Sequence, residues 1–289
     1  MFKNKFFLPL CFAFCSLGNL IFAQENISNQ NQQFQNEVDN FIFLRMNLAT
    51  YKTPNEAINK IESYCNELFS SSSFNSFSQE EQLVFQNFKT LEIFNYLQQI
   101  DGQEKKVKQL IDSQYDKTTA WISEQKNQNF GKWFYATSGD LLSCHLNFSS
   151  IDIIMKDGLK VKKYYENALA LDENMSYALT NLGQWYYFAP KIGGGSKEKA
   201  FNCFEKALSV ARNDAENYFA KIFLSQILFD EKKSQEESKK LLELADSLQP
   251  NGSFISQIRK INSAGLSLLR YYAKRMTMND IEQILEKTK

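Results

Sequence analysis

Apolar residues recur at helical spacing along most of this chain, and no stretch shows sustained alternation of apolar and polar positions. The first two periodic stretches cover 38–50 and 55–69. The turn between them contains Thr53, Pro54 and Glu56, in the order of an N-cap, a first helical residue and a capping-box glutamate. The pattern therefore predicts an all-α fold in which helices follow one another in pairs.

The next elements follow from the same kind of signal. Ser78 and Glu81 form a second capping box, and Asp101 and Gly102 end the long helix that these residues open. The aromatic-rich segment 130–146 is helix-like but does not match the later part of the chain well. Further helices are predicted over 103–113, 118–127, 157–171, 197–210, 253–269 and 279–287.

The stretch 176–210 carries the clearest motif of the chain. Small residues at three positions would let two antiparallel helices approach closely, while a leucine and two aromatic residues would fill the space between neighbouring pairs. In chain order these are Leu182, Gly183, Tyr186, Ala200, Phe204 and Ala207. Their order and spacing resemble the tetratricopeptide repeat (TPR), which implies that all six are buried and carry no chemistry.

The same stretch differs from the usual repeat in the distance between its two helices. Fourteen positions separate Tyr186 from Ala200, where the usual repeat has about nine. The extra residues form an insert loop over 189–195, and its candidate binding residues are Pro190, Lys191, Gly193, Gly194 and Gly195. Loops that depart from a rigid scaffold are frequent binding sites.

A second match to the repeat follows over 213–250. Asn213 and Glu216 cap its first helix, and Leu242, Ala245 and Pro250 stand at the spacing of the repeat's second helix. The resemblance is clearest over 164–250. It implies a right-handed α-solenoid of stacked antiparallel helix pairs, with an irregular N-terminal half and C-terminal capping helices, in a single domain over 37–289.

The N-terminus has the organisation of an export signal. A basic start, an apolar run and the small residue Ala23 predict a signal peptide over 1–23 that is cleaved, which gives a periplasmic or secreted protein. The alternative is a membrane anchor, but Pro9 interrupts an already short run, so no membrane span is expected after cleavage. The Asn- and Gln-rich segment 24–36 is predicted to be a disordered tether.

Composition and isolated residues exclude several classes of function. The 33 basic and 33 acidic residues balance, so no global field favours nucleic acid. The only histidine, His145, stands beside Cys144 without the ligand spacing of a metal site, and we expect no metal, no cofactor and no catalytic residue. Cys65, Cys144 and Cys203 are best explained as small buried residues, although one disulfide with one free thiol stays open.

The glycine run of the insert loop invites a phosphate-loop interpretation. A phosphate loop needs a Gly-Lys pair after a buried strand, whereas Ser196 separates the glycines from Lys197 and a helix precedes them. Ser196 is more simply the N-cap of the helix over 197–210. An anion held at that helix start by Lys191 and Lys197 is the remaining alternative.

Binding, if any, must then come from the surface of the scaffold. The resemblance places one set of residues on the concave face of the repeats, where aromatic rings, amides and one cation suit a peptide segment. These residues are Tyr177, Thr180, Asn181, Gln184, Tyr187, Asn217 and Lys221. Packing against the next repeat is an equally good explanation of Tyr177 and Tyr187.

Two functions fit these expectations. The first is an exported, non-catalytic scaffold that binds a protein partner or a peptide segment, with a homo-oligomer also open. The second comes from a looser resemblance to the TPR component associated with periplasmic TRAP transporters, which implies pairing with a substrate-binding protein and handling of a small apolar organic ligand. In that case the ligand cavity would be lined by the aromatic residues over 130–188.

Overall fold

The computed structural model describes the backbone of residues 13–127, 129–231 and 234–287, and side chains from residue 31 onward. Within these ranges the fold is all-α, with no strand. The α-helices are α1 (Ala13–Leu48), α2 (Pro54–Phe69), α3 (Ser72–Ser76), α4 (Gln79–Leu97), α5 (Glu104–Glu124), α6 (Lys132–Leu146), α7 (Ile151–Leu171), α8 (Ser176–Phe188), α9 (Lys197–Ser209), α10 (Asp214–Glu231), α11 (Gln235–Leu248), α12 (Ser253–Ser263), α13 (Leu268–Ala273) and α14 (Met278–Lys287).

The predicted helix starts are confirmed by their hydrogen bonds. Ser78 and Glu81 form the reciprocal capping box, in which each side chain accepts from the other residue's backbone N–H. Thr53 Oγ1, Ser196 Oγ and Ser234 Oγ each accept from the backbone N–H three residues later. These caps satisfy donors that a helix start otherwise leaves without a partner.

Each helix from α4 to α11 packs against the next one in the chain, and α4, α6, α8 and α10 also contact one another in that order. We call these four helices the central layer. Helix α1 lies on this layer: it packs against α4 and α10, its Gln35 accepts from Trp133 Nε1 at 2.9 Å, and its Arg45 covers the ring of Tyr177. The largest hydrophobic cluster therefore joins both halves of the chain.

Residues 24–36, predicted as a disordered tether, are helical and belong to α1. Phe34 packs edge-on against Phe77 and Phe85, with ring centroids 5.7 and 5.6 Å apart. The prediction failed because it weighed the polar amides and not the single aromatic ring that continues the apolar face toward Val38 and Phe41, both buried. The predicted signal peptide lies partly outside the described residues, and its cleavage stays a prediction.

Several predicted boundaries also change. Helix α5 is continuous where two helices were expected, and α7 begins at Ile151, six residues before its predicted start at 157. The predicted helix 253–269 is divided into α12 and α13 by Gly265, whose φ of +78° lies in the left-handed region that favours glycine.

The repeat-like positions of α8 and α9 are buried, with one exception. Leu182, Gly183 and the three residues of α9 are all below a tenth exposed, whereas Tyr186 is half-buried and corrects the expectation of full burial. A Cβ added at Gly183 would stand 2.5 Å from the ring of Phe204. Gly183 therefore permits the close approach of α8 and α9 that the motif predicts.

Candidate functional site

The residues predicted for one concave face are divided between two separate polar clusters. Tyr177, Asn181 and Gln184 belong to a cluster around Asp140 of α6, while Tyr187 belongs to a cluster around Asp230 of α10. We call them the Asp140 cluster and the Asp230 cluster. Thr180 is buried and takes part in neither.

In the Asp140 cluster, neutral donors surround one carboxylate. Tyr165 donates to Asp140 Oδ1 at 2.6 Å, Tyr177 donates to Oδ2, and Asn181 Nδ2 lies 3.4 Å from Oδ2. Gln184 Nε2 in turn donates to Asn181 Oδ1 at 2.9 Å. The predicted amides therefore support a partly buried carboxyl group, and no sequence motif points to Asp140 itself.

Arg45 of α1 supplies the positive charge beside this cluster. Its Nε donates to Glu92 of α4, which is 5% exposed, and its guanidinium lies 5.3 Å from the ring centroid of Tyr177 and 5.1 Å from that of Phe219. An arginine between two aromatic faces gains cation–π attraction in addition to its ion pair. Arg45 thereby fixes α1 to α4, α8 and α10 at once.

The charge state of Asp140 follows from this arrangement. Burial raises its pKa from 3.8 to about 6, against the two tyrosine hydrogen bonds and the attraction of Arg45, which lower it. The cation is committed to Glu92 and does not pair directly with Asp140, so burial decides the direction. Asp140 thus titrates in a range that few carboxyl groups reach.

The Asp230 cluster joins four helices through one fully buried carboxylate. Tyr187 of α8 donates to Oδ2 at 2.8 Å and Lys197 Nζ of α9 does so at 2.9 Å, while Ser267 and Arg270 donate to Oδ1. Burial alone would raise the pKa of Asp230, but Lys197 and Tyr187 lower it below its usual value. Burial and the bond to Asp230 raise the pKa of Tyr187 to about 12.

Asn217 and Lys221 of α10 bind each other and not a common site with α8. Asn217 Nδ2 donates to the carbonyl of Asn213 at 3.0 Å, and Lys221 Nζ donates to Asn217 Oδ1 at 2.7 Å. Burial lowers the pKa of Lys221. These two residues are half-buried and form a local contact along one helix.

The insert loop has a defined conformation. Lys191–Gly193 form a short 3-10 helix, and the N–H groups of Gly193 and Gly195 both donate to the carbonyl of Pro190. Gly194 has a φ of +95°. Lys197 pairs with Asp230 and Glu231, so an anion at this helix start, the alternative to a simple Ser196 cap, would compete with two carboxylates that already bind the lysine.

Beside the insert loop lies an exposed apolar surface that the sequence did not indicate. Ile151, Met155 and Leu159 stand at every fourth position of α7 and are each more than half exposed, and Ile192 of the insert loop is 91% exposed. Trp185 links the two elements, since its Nε1 donates to the carbonyl of Gly158 at 3.0 Å and its ring lies next to Gly194. We call these five residues the α7–insert surface. The late predicted start of α7 at 157 hid the stripe.

His145 and the three cysteines lie in structural surroundings. His145 Nδ1 lies 2.8 Å from Asp112 Oδ1 and the ring stacks on Tyr115, with centroids 4.2 Å apart. Cys65, Cys144 and Cys203 are free thiols; burial raises the pKa of Cys65 to about 12 and that of Cys203 to about 11. Within the described residues, no group of three metal-ligating side chains is close enough to hold a metal ion.

The described part has a surface hollow of about 190 Å³ that borders the Asp230 cluster. Another, of about 460 Å³, is lined by the turn after α13 and by α14, from Lys274 to Lys287. Neither is lined by the aromatic residues over 130–188. Among the described helices, none combines the length and the apolar character that crossing a membrane requires.

No protein-family model matches the chain, and no curated protein is significantly similar to it.

Proposed function

We propose that this chain is an exported, TPR-like scaffold that binds a protein partner and has no catalytic role. Successive helices from α4 to α11 form pairs, and we propose that the pairs stack as a right-handed solenoid with the central layer on its inner side. Leu182, Gly183 and Phe204 support this arrangement, because they pack as a repeat of that family would require.

One observation carries the proposal: the central layer already holds a helical segment, the C-terminal half of α1. Phe41 stacks on Phe88 of α4 with centroids 4.8 Å apart, Gln35 binds Trp133 of α6, and Arg45 lies between rings of α8 and α10. A surface that holds an amphipathic helix through apolar contacts and one ion pair is built like a helix-binding groove. In this chain its own α1 fills it.

The small-ligand alternative receives less support from the same region. Trp121, Phe130 and Phe134 contact one another with ring centroids between 4.9 and 5.5 Å apart, and Trp133 packs against Phe88 and Tyr177. These rings fill the space that a ligand chamber would need. A polar network around Asp140 occupies the rest.

The test is covalent crosslinking in cells that express the chain, followed by affinity purification and mass spectrometry. We expect one protein to be enriched at least about tenfold over a strain that lacks the chain, and to form a complex with the purified protein. Native mass spectrometry of the gently purified protein is the second measurement. A co-purifying organic molecule without any enriched protein would overturn the scaffold proposal in favour of ligand handling.

A further inference from the structure

We infer that the α7–insert surface is the docking site for an acidic amphipathic helix of the protein partner. This inference rests on the proposed scaffold function and names the surface that performs it. The central layer is covered by α1, so a partner needs another face.

The surface has the apolar exposure of an interaction site. Ile151, Met155 and Leu159 lie one helical turn apart along the same face of α7, where a partner side chain could contact two of them at once. Isolated exposed apolar residues are ordinary, but three on one stripe beside a fourth, Ile192, form a patch.

Trp185 joins the two elements of the surface. It is half-buried and lies between Gly158 of α7 and Gly194 of the insert loop. A Cβ added at Gly158 would meet no atom within 4 Å, so α7 is open at that position. Met155 and Ile192 are both more exposed than Trp185, so an apolar helix face can contact side chains of α7 and of the insert loop.

The charges around the surface identify the class of partner. Within the described residues, Lys156, Lys163 and Lys191 are exposed and form no ion pair, whereas Lys160 and Lys162 are paired with Asp157 and Glu166. Among the acidic side chains next to the stripe, Asp152 is the one without an ion pair in that part of the chain. A partner helix with carboxylates on both sides of its apolar face would complement this excess of lysine.

The experiment measures binding of a defined probe to the full chain. The probe is a synthetic amphipathic helix of about sixteen residues with leucines at i, i+4 and i+7 and glutamates on both flanks; its matched control carries lysines at the glutamate positions. Labelled peptide is titrated with protein and followed by fluorescence anisotropy. We expect the glutamate peptide to bind at least tenfold more tightly than the lysine peptide.

Variants locate that binding. Ile192→Ser and Met155→Ser should each weaken it at least fivefold, and Lys156→Glu with Lys191→Glu should reverse the preference between the two peptides. Leu244→Ser, at an exposed leucine of α11 away from this surface, is the matched control and should change nothing. All five replaced side chains are exposed, so thermal unfolding should stay at the wild-type temperature and show that the variants fold.

The inference is overturned by equal binding of both peptides, by unchanged binding to the Ile192 and Met155 variants, or by binding to vesicles of anionic lipid without binding to peptide. Self-association of the wild type that Met155→Ser abolishes would also overturn it, because a second copy would then be the occupant. If a partner is captured in cells and still binds these variants, the α7–insert surface is refuted as its docking site, while the scaffold function stands. Failure of the wild type to capture any protein refutes the scaffold function.

Discussion

The Asp140 and Asp230 clusters use similar groups to opposite effect. Each has a carboxylate that accepts from tyrosine hydroxyls near a cation, yet the pKa of Asp140 is raised to about 6 and that of Asp230 is lowered. Asp230 is paired directly with Lys197 and Arg270, whereas the cation beside Asp140 is bound to Glu92. Direct pairing with a cation decides whether the pKa of the carboxyl group falls or rises, because hydroxyl donors alone do not compensate a carboxylate for its loss of hydration.

The two clusters also hold different helices together. The Asp230 cluster ties α8, α9, α10 and α13 together through a buried carboxylate and two cations that are partly hydrated. The Asp140 cluster lies beneath α1, and its neighbouring ion pair Arg45–Glu92 is the main polar contact between α1 and the helices under it. Removing a cation should therefore be most costly at Arg45, because it is the cation paired with Glu92 in the described part of the chain, whereas Asp230 is paired with both Lys197 and Arg270.

Arg45→Ala should have the largest effect. Glu92 would remain buried without its partner, and we expect the free energy of unfolding to fall by about 4 kcal/mol. Urea denaturation followed by circular dichroism at neutral pH measures the loss. Arg45→Ala combined with Glu92→Gln is the control and should recover a large part of it. A loss below about 1 kcal/mol would show that the pair does not hold α1.

Asp230→Ala should have the next largest effect. Four donors lose their acceptor, but Lys197 and Arg270 are each nearly half exposed and regain water, so the expected loss is about 3 kcal/mol. The same denaturation measurement applies. Glu231→Ala, which removes only the second partner of Lys197, should cost less than about 1 kcal/mol. Equal losses of unfolding free energy in Asp230→Ala and Glu231→Ala would contradict the central role of Asp230 in this cluster.

Asp140→Asn should change the pH dependence of stability. The folded pKa lies above the ordinary value of 3.8, so the neutral carboxyl group contributes stability at low pH that is lost as the pH rises through about 6. Between roughly pH 4 and pH 7, wild type should therefore lose about 2 kcal/mol relative to Asp140→Asn. Asp230→Asn should show the opposite trend, with wild type losing relative stability as the pH falls toward 3. Parallel pH curves for wild type and Asp140→Asn would refute the raised pKa.

The smallest losses of stability are expected for Tyr187→Phe and Tyr177→Phe, and the two should differ in their dependence on pH. Tyr187→Phe removes a hydrogen bond to a carboxylate that stays ionised, so its cost of about 1 kcal/mol should be the same at pH 5 and pH 8. Tyr177→Phe removes a bond to Asp140, which is largely neutral at pH 5 and ionised at pH 8, so its cost should be greater at pH 8. The measurement is denaturation at the two pH values. The distinction between the Asp140 and Asp230 clusters is refuted if the stability costs of both variants change with pH in the same way.

Local signals in the sequence predicted much of the fold and little of the site. Thr53, Ser78 and Ser196 fix helix starts through bonds that reach three residues, and Gly183 with Phe204 packs within one helix pair. These interactions leave a pattern that a short window contains. The all-α class and the helix order over 176–248 follow from them.

The candidate sites depend on contacts that no short window contains. Gln35 meets Trp133 after 98 residues, Arg45 meets Glu92 after 47, and Tyr177 meets Asp140 after 37. The prediction of a tether over 24–36 failed for the same reason, since α1 gains its order from helices far along the chain. The prediction for Tyr177 and Tyr187 had left packing open as an alternative, and hydrogen bonds to two different carboxylates now account for their hydroxyls.

Helix α1 ends at a contact that has a consequence for synthesis. Ser253, at the start of α12, donates through both its N–H and its hydroxyl to the carbonyl of Ala49, 204 residues earlier. At about 5 to 20 residues per second, Ala49 waits about 10 to 40 seconds on the ribosome for this partner. Early in that time α1 can pack against α2 and α4, whereas its contacts with α10 and with Ser253 form only once those residues have been synthesised. The packing of α1, an early helix, is therefore completed only near the end of synthesis.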